Sequence, residues 1–95
     1  MARFEWDAAK NRRNKLKHGI RFELAVEAFE DPMAVSVQDR QVDGEERWQT
    51  IGVVRNLRLI VVAHSIRDSS GEEITRIISA RKADASERRL YEEGE

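Results

Sequence analysis

The stretch Arg58-Leu59-Ile60-Val61-Val62-Ala63-His64-Ser65-Ile66 decides the fold. Leu59 to Ala63 is apolar on both faces of an extended chain, so it suits a central strand buried between the two sides of a sheet. Toward the C-terminus the cluster Asp68-Ser69-Ser70-Gly71 marks a turn, and Glu73 to Ala80 supplies the next strand. Toward the N-terminus Arg55-Asn56 makes a turn after a strand near Arg47 to Val54. The polar segment Asp39 to Glu46, containing Gly44, reads as a loop, preceded by a half-buried strand in which Met33, Val35 and Val37 alternate with Ala34, Ser36 and Gln38. Short connections between all of these strands predict an antiparallel meander.

Helices are expected on either side of the strands. Asp7 is a plausible N-cap for Ala8 to His18, and Gly19 ends that helix in a left-handed conformation. Its apolar side is thin, with Ala9 and Leu16 flanked by Trp6 and Ile20, so most of its circumference is left for water or a partner. Phe22, Ala25, Val26 and Phe29 fall at i, i+3, i+4 and i+7 of a second helix, which Asp31-Pro32 stops. A last helix runs from Ala83 to about Glu93. The fold class read from this pattern is α+β, with two N-terminal helices packed on a four-stranded antiparallel sheet and a C-terminal helix. The 95 residues suit a single domain with one modest core.

Composition narrows the chemistry. The chain has no cysteine, which excludes disulfides, thiol nucleophiles and cysteine-based zinc sites, and with two histidines a metal site is not expected. No apolar run approaches the roughly 20 residues needed to span a bilayer, and Met1 to Asp7 lacks the apolar stretch of a signal peptide. The cytoplasm is the expected compartment, without membrane contact. The net charge of -1 hides segregation. Lys10, Arg12, Arg13, Lys15, Lys17 and Arg21 form a run without an acid, to which His18 adds a titratable group. Glu23 to Glu46 is acidic apart from Arg40, and the chain turns basic again through Arg76, Arg81, Lys82, Arg88 and Arg89. Such a pattern suits a polyanion on one side and a basic partner on another, or opposite charges that simply pair across the fold.

Arginine is suited to stabilising charge on a phosphodiester, because its planar fork donates two hydrogen bonds and keeps its charge at any relevant pH. Arg47, Arg67, Arg76 and Arg81 lie in or at the ends of the last three strands, where they can converge. Strict alternation, however, puts Arg76 with Ile78 and Ala80 on one face and Arg81 with Ile77 and Ser79 on the other unless the strand bends. Proton transfer has four candidates, His18, His64, Tyr91 and Glu46. Each also has a structural reading: His18 as a helix C-terminal residue, His64 as a hydrogen-bonded strand residue, and Tyr91 as a core aromatic. Trp6 and Trp48 can stack bases, though burial is the commoner fate of tryptophan.

These residues also carry a resemblance. Phe4-Glu5-Trp6-Asp7, Lys10-Asn11, Asn14, Lys17-His18-Gly19-Ile20, Phe22-Glu23-Leu24-Ala25 and Phe29-Glu30-Asp31-Pro32 resemble the opening of the BrnT toxins. Glu46-Arg47, Ile51-Gly52, His64-Ser65 with Arg67, Ile77-Ile78-Ser79-Ala80-Arg81-Lys82-Ala83 and Glu87-Arg88 with Tyr91-Glu92 continue it in order. The resemblance implies a RelE-like fold and a metal-independent endoribonuclease that arrests growth by reducing translation, with no cofactor. It implies a partner as well, a BrnA-type ribbon-helix-helix antitoxin whose dimer binds two toxins, neutralises them and contacts operator DNA. Carried onto this chain, the expected catalytic set is Arg67, Arg76, Ser79, Arg81 and Tyr91, with His64. The expected RNA-binding set is Lys10, Arg13, Lys17, His18 and Arg47. Arg21 departs from the serine or threonine that caps the second helix in many relatives, which predicts a less satisfied helix start. Two other readings compete: a non-catalytic module that only complexes the antitoxin and tunes operon repression, supported by the lack of an obvious general base, and a direct DNA-binding regulator. Only Lys10 to Lys17 could serve the regulator as a recognition helix, and no helix-turn-helix surrounds it.

Overall fold

The computed structural model describes residues 3–42 and 45–94. Its elements in chain order are β1 (Arg3–Glu5), α1 (Ala8–His18), α2 (Phe22–Ala25) continued by a 3-10 turn (Val26–Glu30), β2 (Val35–Val42), β3 (Glu45–Val54), β4 (Arg58–Ser69), β5 (Glu72–Lys82) and α3 (Ala85–Glu93). The sheet order is β1-β5-β4-β3-β2, so the apolar run of β4 does occupy the central strand. Asp7 caps α1 by accepting the Ala9 and Lys10 amides at 2.8 and 3.1 Å, and Gly19 ends it at φ +74°.

The expectation of a four-stranded, wholly antiparallel sheet is corrected by β1. These three residues pair in parallel with β5, Phe4 opposite Thr75 and Glu5 opposite Arg76, which makes the sheet five-stranded and mixed. The second helix is also shorter than expected. After one α turn the backbone tightens into the 3-10 turn, which rotates Ala28 into full burial while Val26 and Phe29 are only partly covered. There the turn lies directly on β3, where a Cβ on Gly52 would stand 2.6 Å from the Ala28 carbonyl oxygen. Arg40 to Val42 pair with Glu45 to Arg47 where a loop was expected, with Asp39 bulged between Gln38 and Arg40, and of that segment Asp43 and Gly44 lie outside the described residues. Met33 precedes β2 and is 60% exposed. α3 begins at Ala85, after Asp84, whose capping box with Glu87 satisfies its first turn.

Each face of the sheet has its own cluster. On one side Ile60, Val62, Ile77, Ala80 and Val54 pack with Ile20, Phe22, Ala25 and Ala28. On the other, Ile51, Leu59, Val61 and Ala83 pack with Val53 and Tyr91, so α3 covers one end of that face. α1 lies along β5. Its buried Asn14 donates to the Ala80 and Ile20 carbonyls, both at 2.8 Å, and accepts the Ala80 amide at 3.1 Å. One side-chain amide thereby completes the strand edge that the short β1 leaves uncovered. Arg21 offers α2 no side-chain cap, but the side-chain oxygen Oδ1 of Asn11 in α1 accepts the Phe22 amide at 2.8 Å and supplies that bond from outside. Among the described residues no helix is long and apolar enough to cross a membrane.

Candidate active site

The arginines meet because β5 is bulged. Ala63 pairs with Ser79 but His64 pairs with Ile77, leaving Ile78 without a partner on β4. One extra residue resets the alternation, so Arg76, Ser79 and Arg81 all share a face. That face continues across the sheet: Arg47 stands opposite Ser65, Ser65 opposite Arg76, and Arg76 opposite Glu5. Arg67 lies two residues along β4 from Ser65 on the same side.

Arg67 Nη2 and Arg76 Nη1 converge on a single atom, Glu5 Oε2, at 3.0 and 3.2 Å. Their side chains remain 39% and 41% exposed, so each guanidinium uses one N–H on Glu5 and presents its others to solvent. Arg81 lies four strand positions away, roughly 13 Å at about 3.3 Å per residue, too far to serve the same phosphate as Arg76. It forms a fork-to-fork pair with Glu87 at 2.8 and 2.7 Å, and Glu87 also accepts the Asp84 amide, so this arginine fastens α3 to the sheet. Its guanidinium is held even more firmly protonated by hydrogen bonding to Glu87, and Glu87 is held below the usual carboxylate range by the same bond.

The basic side of α1 borders this region. Lys10, Arg13, Asn14, Lys17 and His18 line a groove of about 380 Å³ with Ile78 and Ser79 at its other wall. Spacings of three and four residues place Lys10, Arg13 and Lys17 on one helix face, turned toward the bulge. A cationic surface therefore runs from α1 across Ser79 to the paired arginines, and a segment of polyanion fits it.

A family model described as the ribonuclease toxin BrnT of type II toxin-antitoxin systems matches residues 6–87. The chain belongs to the BrnT family. No curated protein sequence matches it. In this BrnT chain the charged surface and the family activity agree, since a ribonuclease must hold phosphates and the arginine face offers their complement.

Two of the residues expected in the catalytic set stand apart from the paired arginines. His64 is on the opposite face, 3% exposed, edge-on to Phe29 with ring centroids 4.8 Å apart and with Nε2 2.8 Å from the Thr50 hydroxyl. Burial pushes it down to about 4, so it is neutral at pH 7. Tyr91 packs its ring on the Ile51 cluster and donates its hydroxyl to Asp31 Oδ2 at 2.7 Å, a bond that, with burial and the Asp31 charge, pushes the phenol up to about 12. Glu46 accepts the Trp48 indole N–H at 3.1 Å, and Trp6 packs edge-on to Phe22 on the helix-covered side. Arg47 lies in the row of Arg76, with its Nε buried and without a hydrogen-bond partner among the described residues. Glu5 is the site residue that the sequence reading left out. Its signal was the alternation Phe4-Glu5-Trp6, apolar residues around an acid, immediately before the Asp7 cap.

His64 gives the protein a pH-dependent stability. A base whose folded pKa is depressed contributes stability that is present above its unfolded value near 6.5 and is lost as pH falls toward about 4. At about 1.4 kcal/mol per pKa unit, the loss over that window is up to about 3 kcal/mol. Thermal melts at pH 7 and 4.5 are expected to show a drop in the parent protein that His64→Gln largely removes; an equal drop in both would assign it to other groups.

Proposed function

We propose that this chain is a metal-independent endoribonuclease that cleaves RNA in the cytoplasm, reduces translation and arrests growth. The observation that carries the reading is the meeting of Arg67 and Arg76 on one carboxylate oxygen, on a face of the sheet that α3 covers only at its other end. Two guanidiniums already aimed, each by one N–H, at a single carboxylate oxygen are preorganised for the charge that builds on a phosphate during attack by the ribose 2′-oxygen. Lys10, Arg13, Lys17 and His18 hold the flanking backbone, with Ser79 between the two basic regions and Arg81 reaching a neighbouring phosphate.

The partner in this reading is a BrnA-type ribbon-helix-helix antitoxin, two toxins to one antitoxin dimer, with operator DNA contacted through the antitoxin alone. The outer side of α1 supports it. Leu16 is 88% exposed beside Arg12, Lys15 and Arg21, a surface complementary to an acidic segment that carries an apolar side chain.

Induced expression of the chain alone in a bacterial host, beside the Arg67→Ala/Arg76→Ala double variant, tests the reading. Growth arrest with loss of bulk RNA is expected from the parent only. Normal growth with intact RNA at good soluble yield would favour the non-catalytic module, a reading supported by the pairing of Arg67, Arg76 and Arg81 with carboxylates.

A further inference from the structure

We infer that Glu5 is the general base of the reaction, the proton acceptor for the 2′-hydroxyl. The inference rests on the ribonuclease reading and adds the group that reading lacks. Glu5 Oε2 is occupied by Arg67 and Arg76, while among the described residues no donor reaches Oε1, and the side chain is 29% exposed. An oxygen of the same carboxylate therefore stands open beside two guanidiniums that can hold a phosphate. A 2′-hydroxyl is covalently adjacent to the phosphate it attacks, so the group that binds one approaches the other.

Glu87, Tyr91, His64 and Glu46 are each committed elsewhere. Both Glu87 oxygens accept from Arg81, one of them also taking the Asp84 amide. The Tyr91 hydroxyl is given to Asp31, His64 lies buried on the far face, and Glu46 takes the Trp48 indole. His18 lines the α1 end of the groove, beside Lys17 and Ser79. Glu5 is thus the acid that shares the arginine cluster and retains a free oxygen. Its backbone is fixed by parallel pairing to β5, opposite Arg76 itself.

The step balances without a further reagent. The 2′-oxygen forms a bond to phosphorus as its proton passes to Glu5 Oε1. The P–O5′ bond breaks, the departing oxygen takes a proton from water, and the hydroxide left behind recovers the proton from Glu5. The products are a 2′,3′-cyclic phosphate and a 5′-hydroxyl.

Glu5→Gln tests this, because glutamine still accepts from both arginines but cannot take the proton. With purified protein, E5Q is expected to bind an RNA carrying a 2′-O-methyl group at the scissile position at least as tightly as the parent, since a negative charge beside the phosphate is removed. It is expected to cleave the unmodified RNA about 10²–10⁴-fold more slowly, and Glu5→Asp should recover part of the rate. Cleavage by E5Q at the parent's rate would overturn the assignment alone, and tighter binding with faster cleavage would overturn it by making Glu5 a counter-ion that competes with phosphate. An inactive parent would overturn the ribonuclease reading and this role together. Should E5Q fold poorly, the parent's pH–rate profile decides: cleavage must fall as a single carboxyl protonates on the acid side, and a flat acid side would refute the role.

Discussion

Arg76→Ala is expected to lower the rate of RNA cleavage by roughly 10²–10³-fold, the effect of removing one preorganised donor from a developing oxyanion. The fold should tolerate the change. Arg76 is 41% exposed and its contact with Glu5 is a partly screened ion pair, so its loss costs no more than about 1 kcal/mol of stability. Glu5 also keeps Arg67 at 3.0 Å after the substitution. Single-turnover cleavage of a defined RNA beside a thermal melt separates the effects: a large rate loss with little change in Tm supports the role, and an unchanged rate removes Arg76 from the site. Arg81→Ala is the less informative variant. It cuts the double hydrogen bond to Glu87 that joins α3 to the sheet, so lost activity there would mix chemistry with displacement of the helix.

Asn14→Ala is expected to destabilise the protein by about 2–4 kcal/mol, because removing one amide leaves several buried backbone groups unpaired. Asn14 makes three hydrogen bonds, with the Ala80 amide, the Ala80 carbonyl and the Ile20 carbonyl, at a position only 7% exposed. In a domain of this size each kcal/mol is worth roughly 4–8 °C, so Tm should fall by at least about 8 °C. The same amide holds α1 against β5, the two walls of the basic groove. RNA affinity of the folded fraction is expected to weaken as well. A melt unchanged within a few degrees would show that water replaces the amide and that α1 is held by packing alone.

Sequence reading captured the elements with strong local signals. The apolar run Leu59 to Ala63 marked the central strand, Asp7 and Gly19 marked the ends of α1, and the 3.6-residue period identified the fully buried Phe22 and Ala25. It failed where the decisive partner is distant in sequence. Three residues are too few to announce β1, whose pairing with β5 depends on strands some seventy residues later. The bulge at Ile78 is set by register against His64, so the alternation that separated Arg76 from Arg81 could not be corrected from the strand alone. The 3-10 turn after Ala25 lies closely against Gly52 of β3, a partner again outside the local pattern. At the site, residue type marked the arginines and the 10, 13, 17 spacing marked the basic helix face. His64 shows the opposite limit: imidazole suggests proton transfer, but only the fold puts it beneath Phe29 and depresses its basicity.

The most direct test of the central claim is the chemistry of the cut. Purified chain is incubated with a defined single-stranded RNA in excess chelator, and the product ends are identified. Cleavage yielding 5′-hydroxyl ends opposite a 2′,3′-cyclic phosphate, or the 3′-phosphate left by its hydrolysis, is the expected result of attack by the 2′-oxygen. RNA that stays intact, or fragments bearing 5′-phosphates, would contradict metal-independent cleavage on the arginine face.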